Sequence, residues 1–236
     1  MQNFFRAMFQ LVLVVLLTAA TVGAFWFGLV PQRFSPFAPV SLERPSQWFL
    51  DPKLAALRND PTLCQSVLKA PHIDAVSVPD NPIKKGCGWT NSVKFGNAGG
   101  ARLGVEPVTC ELAAALTLWI EHEVQPVAIA AFGKRVAAIE DMGTYDCRNI
   151  IGSSMWKDVK SQHARANALD LAGFTLEDGR KISILRDWPG KGPESKFLRD
   201  IKSRSCGYFR VSLGPDFNAP HKNHFHFDRG PMWTCR

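Results

Sequence analysis

Neither a G-x-x-x-x-G-K-[ST] phosphate loop nor a G-x-G-x-x-G fingerprint occurs in the 236 residues, which leaves no motif for holding a nucleotide by its phosphates. There is no G-x-S-x-G elbow, so the strand-to-helix serine nucleophile is missing as well. Two S-x-x-K pairs, Ser66 with Lys69 and Ser154 with Lys157, match an acylating motif, but the S-D-N and K-T-G stretches that should accompany it are absent. A two-residue match of that kind arises often by chance. No basic run interleaved with aromatics marks a nucleic-acid surface. The six cysteines include no C-x-x-C pair, which disfavours a thiolate metal site. No segment repeats, which sets solenoids aside.

Charge is missing from one stretch in particular. Between Ala7 and Gln32 there is no charged residue, and residues 8–30, MFQLVLVVLLTAATVGAFWFGLV, exceed the roughly 20 apolar residues that cross a bilayer. Arg6 precedes the run, and Phe25, Trp26 and Phe27 close it as interfacial aromatics would. Residues 1–30 therefore read as a signal anchor, a single transmembrane helix with its N-terminus in the cytoplasm. The alternative is a signal peptide cleaved near Val22, Gly23 and Ala24, although the run is longer than the ~7–15 residues of a usual apolar core of that kind. Either way the remainder is exported, and an even number of cysteines beyond the run (Cys64, Cys87, Cys110, Cys147, Cys206, Cys235) fits disulfides in an oxidising compartment. Spacing does not choose among the connectivities. The formal charge of +7 and pI near 9.2 describe a soluble surface that anionic envelope polymers or lipid head groups would attract.

A hydrophobic content of 46% is enough for one sizeable core. Residues 31–58 begin with a segment carrying four prolines by Trp48 and read as an extended tether, so the folded domain is expected over residues 59–236. Asp60 followed by Pro61 opens a short helix, and Thr109 is placed to cap a helix from Cys110 that buries Leu112, Leu116, Trp119 and Ile120. Residues 73–105 look like loops and small strands. A strand at residues 135–139, a hairpin turn at Glu177, Asp178 and Gly179, a helix opened by Pro193, and β structure at residues 209–213 follow. Because strands adjoin in hairpins without regular β-α-β alternation, the predicted class is α+β, an antiparallel central sheet with flanking helices behind one N-terminal transmembrane helix.

Four of the six histidines fall in two short segments, His163 in SQHARANALDLAGF (residues 161–174) and His221, His224 and His226 in HKNHFHFD (residues 221–228). Along a strand, residues two apart share a face. His224, His226 and Asp228 would then line a polar site while Phe225 and Phe227 enter the core. Ala168, Asp170 and Ala172 alternate with Leu169 and Leu171 in a second strand, with His163 on the turn entering it. A carboxylate and two imidazoles from these segments could meet about 2.0–2.2 Å from a zinc ion with the fourth position open, the arrangement of a catalytic site. His72 and His122 stand alone and receive no role.

With CRNI at residues 147–150, SQHARANALDLAGF at 161–174, LRDW at 185–188 and LGPDFNAPHKNHFHFD at 213–228, the chain closely resembles the bacterial extensin-like C-terminal domain family over roughly residues 64–236. The repetitive Ser-Pro blocks of plant extensins are absent. A more distant likeness is to zinc peptidases of the D-alanyl-D-alanine carboxypeptidase, lysostaphin and murein-endopeptidase group, which use an S-x-H-x6-D segment and a later H-x-H. That resemblance implies a zinc D-Ala-D-Ala peptidase-like fold, with His163, Asp170 and His226 as zinc ligands, His224 as an unligated base and Arg148 as an oxyanion or carboxylate holder. The alternative for Arg148 is a buried ion pair beside Cys147. Ser161, His221 and Asp228 are candidates for supporting the ligands. The implied protein is a zinc peptidase of the bacterial inner membrane and periplasm acting on peptidoglycan stem peptides or cross-bridges. Carboxypeptidases of the group carry an acidic base where this chain has Asn223, which keeps open a non-catalytic wall-binding or metal-binding envelope protein.

Overall fold

The computed structural model describes residues 2–152 and 154–236. Its first element, α1 (Gln2–Trp26), buries no residue and is long and apolar enough to cross a membrane. The rest is arranged around one sheet. In chain order the elements are α2 (Leu50–Ala56), α3 (Pro61–Val67), β1 (Ile73–Ser77), β2 (Asn81–Lys84), β3 (Cys87–Trp89), β4 (Ser92–Ala98), β5 (Ala101–Thr109), α4 (Cys110–Trp119) and α5 (Gln125–Phe132). Then come β6 (Val136–Asp141), β7 (Ala168–Leu176), β8 (Lys181–Ser183), α6 (Ile184–Asp187), α7 (Pro193–Ser205), β9 (Val211–Leu213), β10 (Phe225–Asp228) and β11 (Thr234–Cys235).

The nine-stranded sheet runs β1-β4-β5-β6-β7-β10-β9-β11, with β8 also on β7, and β2 and β3 form a separate hairpin. The sheet is mainly antiparallel, as expected, but mixed, with two parallel pairings that the expectation did not include. After β5 the chain travels through α4 and α5 before returning, so β6 lies parallel to β5, and β11 lies parallel to β9. Residues 73–105 are also more regular than expected. The reason is visible in β5, where Ala101, Leu103 and Val105 are buried and the residues between them exposed, the alternation of a strand covered on one face.

Helix α4 is buried along its whole length, and its alanines let it lie close against the sheet. Trp119 at its end donates through Nε1 to the Ile201 carbonyl (3.0 Å) and packs edge-on to Phe227 at 5.0 Å. Phe227 stacks on Phe209 at 4.4 Å. Full burial of each such ring is worth roughly 1.5–3 kcal/mol, so this cluster is the stiff backing on which the opposite face of β10 rests. Asp60 caps α3 as expected, accepting from Leu63 N–H at 2.9 Å. Thr109 does not cap α4: its hydroxyl donates to Asn167 Oδ1 at 2.7 Å. Helices α4 and α5 join through a π-helical turn, Ile120–Val124, in which the Gln125 N–H reaches back to the Ile120 carbonyl. Pro126 has no N–H to give the preceding turn, and the wider turn absorbs that loss.

Residues 31–58 are not a free tether. Val40, Leu42, Leu54 and Leu57 are buried in the core, and Asp51 pairs with Arg210 and Arg229 at 2.9 Å each. Prolines restrict a backbone without preventing its apolar side chains from burying, and composition hid that distinction. Three disulfides close the fold: Cys64–Cys110, Cys87–Cys147 and Cys206–Cys235.

Candidate metal centre

Strand β10 pairs antiparallel with the start of β7, and the register sets His226 directly opposite Asp170. Phe225 and Phe227 point into the core while His226 and Asp228 face the other way, so the alternation of HFHFD is realised. His163 comes from a 3-10 turn, Gln162–Arg165, that leads into β7. Ser161 caps that turn by accepting the His163 N–H at 3.3 Å, Ala166 closes it in the left-handed region, and the Asp146 N–H donates to the His163 carbonyl at 3.2 Å. Ser161 thus fixes the backbone under His163 and, among the described residues, makes no hydrogen bond to the His163 or His226 ring.

Three donor atoms converge here. His163 Nε2 lies 3.3 Å from Asp170 Oδ2 and 3.3 Å from His226 Nδ1, and His226 Nδ1 lies 2.9 Å from Asp170 Oδ1. Donors about 2.0–2.1 Å from a tetrahedral zinc ion are themselves roughly 3.3 Å apart, so this spacing fits such an ion. The far nitrogens fit too. A carbonyl can only accept, so His163 carries its proton on Nδ1, donated to Thr144 O at 3.1 Å, and its Nε2 lone pair faces the centre. His226 Nε2 donates to Asp228 Oδ2 at 3.2 Å, and Asp228 also accepts the Gly230 N–H at 2.8 Å. Imidazole ligands held from behind by a carbonyl and a carboxylate are the usual support of a bound metal. Asp228→Asn should therefore weaken zinc binding by about 10–100-fold while the fold stays intact, measured by competition with a chelating dye.

Protonation follows from the same contacts. Burial alone would push His226 down, but the Asp170 and Asp228 carboxylates outweigh it and push it up to about 9. Burial alone would push Asp170 up, but the His163 and His226 rings in contact with it hold it well below the usual carboxylate range. The signs give a pH window for the metal-free protein. The raised His226 contributes stability that is present below its unfolded value of about 6.5 and lost as pH rises through about 9. The depressed Asp170 contributes stability present above about 3.8 and lost as pH falls further. Between about 6.5 and 9 the metal-free His226 holds a proton on the nitrogen that zinc needs. Zinc binding at pH 7.5 should therefore release close to one proton per ion, read by calorimetry in buffers of different ionisation enthalpy.

The surrounding residues face a cleft of about 630 Å³ whose walls include Ile150, Trp156, Phe217 and Met232. His224 precedes β10 and lines this cleft, with Nε2 3.6 Å from Asp170 Oδ1. Burial lowers its pKa, helped by His226, His163 and Arg148 against the pull of Asp170. Its Nδ1 donates to Asn223 Oδ1 at 2.9 Å, which leaves the Nε2 lone pair open. His221 is bonded to Asn218 and lies edge to face with His226, and burial, then His226 and His224, push it down to about 4. Arg148 lines the cleft and is held by Asp146 (Nε to Oδ2, 2.8 Å); with a side chain 31% exposed, the pair is not a buried one.

Sequence reasoning did not single out Thr144, whose backbone carbonyl orients His163; a carbonyl leaves no signature in residue type. Asn223 was noticed only as a departure from an acidic position, and its contact with His224 needed coordinates. Asn218 and Asp146, which hold His221 and Arg148, lay within quoted or neighbouring motifs without a stated role. A family model described as extensin-like protein C-terminus matches residues 62–236. No match to the chain is found among the curated proteins or among the solved structures.

Proposed function

The chain belongs to the extensin-like protein C-terminus family over residues 62–236, and on that footing we propose that it is a zinc peptidase-like hydrolase cutting peptide bonds in peptidoglycan stem peptides or cross-bridges. Its apolar N-terminal helix anchors it in the bacterial inner membrane, with the disulfide-bonded domain in the periplasm. The observation that carries the reading is the convergence of His163, Asp170 and His226 at tetrahedral spacing on the floor of an open cleft.

When bound, zinc would polarise the scissile carbonyl and acidify water in the cleft. The protein's own groups do the rest. Thr144 and Asp228 fix the rings of His163 and His226. His224, neutral and held by Asn223 with Nε2 open, takes a proton from the attacking water and returns it to the leaving amine. Arg148, steadied by Asp146, stabilises negative charge developing on the carbonyl oxygen or holds a substrate carboxylate. In this reading the role borne by an acidic side chain in zinc carboxypeptidases passes to His224, with Asn223 as its support. The apolar walls bind the substrate and exclude water from the charges at the floor.

The test is incubation of the full chain with purified murein, with zinc and with a chelator, following released muropeptides by chromatography. Zinc-dependent release of peptide products supports the reading. Stoichiometric zinc with unchanged murein at high protein concentration would instead make this a metal-bearing wall-binding protein.

A further inference from the structure

Behind the turn that carries His163 lies a second cavity of about 580 Å³, and Val159, Lys160, Gln162 and Pro231 border both it and the cleft. One short segment therefore serves two sides. Ser161 and His163 belong to the metal centre, while Lys160 and Arg165 line the second basin. The basin's other charges are Arg58 and Arg229, both bonded to the single carboxylate Glu111, at 2.8 and 2.9 Å. Arg58 and Arg229 are thus neutralised, Arg229 by Asp51 as well at 2.9 Å, and Glu111 has no capacity left for the other two cations of the lining.

Lys160 and Arg165 have no ion pair and no side-chain hydrogen bond among the described residues. Lys160 is nonetheless held in place. Gly86, in the left-handed region at the turn between β2 and β3, packs so closely that a Cβ there would lie 2.9 Å from Lys160 Cγ. Two uncompensated cations at a concave, partly apolar surface raise the local concentration of anions and form charge-assisted hydrogen bonds to oxygen acceptors. Trp89 lines the same basin and stands edge-on to Tyr145 at 4.9 Å, offering a flat wall to the chain that bears the anion.

We propose that this basin is a recognition site for a carboxylate-bearing peptide segment, placed so that a substrate reaching across the ridge of residues 159–162 presents its neighbouring bond to the His/Asp centre. The proposal deepens the peptidase reading and rests on it for the direction of the substrate, but binding itself requires no hydrolysis.

The probe is a fluorescein-labelled, C-terminally amidated Ala-Glu-Ala-Glu peptide against its amidated Ala-Gln-Ala-Gln counterpart, titrated with the full chain in detergent and read by anisotropy. The acidic peptide should bind at least about tenfold more tightly, as two charge-assisted contacts would give. Lys160→Gln with Arg165→Gln should remove that preference. Lys134→Gln with Lys191→Gln removes the same net charge at exposed positions outside the basin and should leave the preference within about twofold. Equal affinity for the two peptides, or equal losses in the two double variants, would overturn the proposal. An acidic preference that depends on Lys160 and Arg165 while murein stays uncut keeps the basin and rejects the hydrolase. Zinc-dependent murein cleavage at equal rates in both variants, without an acidic preference, does the reverse.

Discussion

Asp170→Asn should give a folded protein whose zinc affinity is lower by at least about three orders of magnitude, or about 4 kcal/mol. The amide keeps the shape of the carboxylate and the pairing of Asp170 with His226 across β7 and β10, so the sheet has no reason to move. What changes is charge. Asp170 sits between the donor nitrogens of His163 and His226, and it is the only carboxylate of the three-donor group. Its loss leaves two neutral imidazoles to hold a dication. The metal-free protein should change as well. His226 would keep Asp228 but lose the stronger of its two carboxylate partners, so its pKa should fall from about 9. Dye competition gives the first quantity and NMR titration of the imidazole protons the second. Zinc bound with unaltered affinity by the variant would mean that the three groups do not share an ion.

Much of this centre was legible because strand geometry translates spacing into position. The period of two in HFHFD placed Phe225 and Phe227 in the core and His226 with Asp228 on the opposite face, and the run from Ala168 to Ala172 did the same for Asp170. Contact between the two segments was not a matter of local pattern. It depends on β10 arriving beside β7 some 56 positions later in the chain, and it was expected from the residue types, two imidazoles and a carboxylate suited to one ion, and from the resemblance. The sheet's antiparallel character was legible, but its parallel pairings were not, for a related reason. The connection through α4 and α5 decides that β6 runs parallel to β5, and hairpin signals elsewhere say nothing about that one crossing. The supposed tether failed on composition, since Val40, Leu42, Leu54 and Leu57 are spread too thinly among prolines and polar residues to make a periodic signal, although each buries fully in the core. Disulfide pairing was beyond reach, because it follows from where the elements finally lie.

The pairing between Cys87 and Cys147 has the largest consequence outside the three-donor group. It ties the β2–β3 hairpin, which forms a sheet of its own, to the loop that carries Asp146 and Arg148. A two-stranded hairpin alone is marginal in water, so the bond holds both pieces. The two cysteines are 60 positions apart, and closing a loop of that length in the unfolded chain is worth about 4 kcal/mol in the chain-entropy account. Cys87→Ser with Cys147→Ser should therefore lower the unfolding free energy by about that amount, read from urea midpoints at constant slope. The Cys64–Cys110 bond spans 46 positions and should cost nearly as much when removed, but it joins α3 to α4 inside the core, away from the cleft. The two double variants thus separate stability from function. At a temperature where both remain folded, loss of Cys87–Cys147 should depress murein hydrolysis through a loosened Arg148, while loss of Cys64–Cys110 should leave it unchanged. Zinc affinity should fall less than hydrolysis in the first variant, because the three donor side chains lie off that loop and only the support of His163 by Thr144 and Asp146 is loosened. Equal effects of the two variants on hydrolysis would mean that Arg148 is not held in place by the bond, and its part in the chemistry would have to be given up.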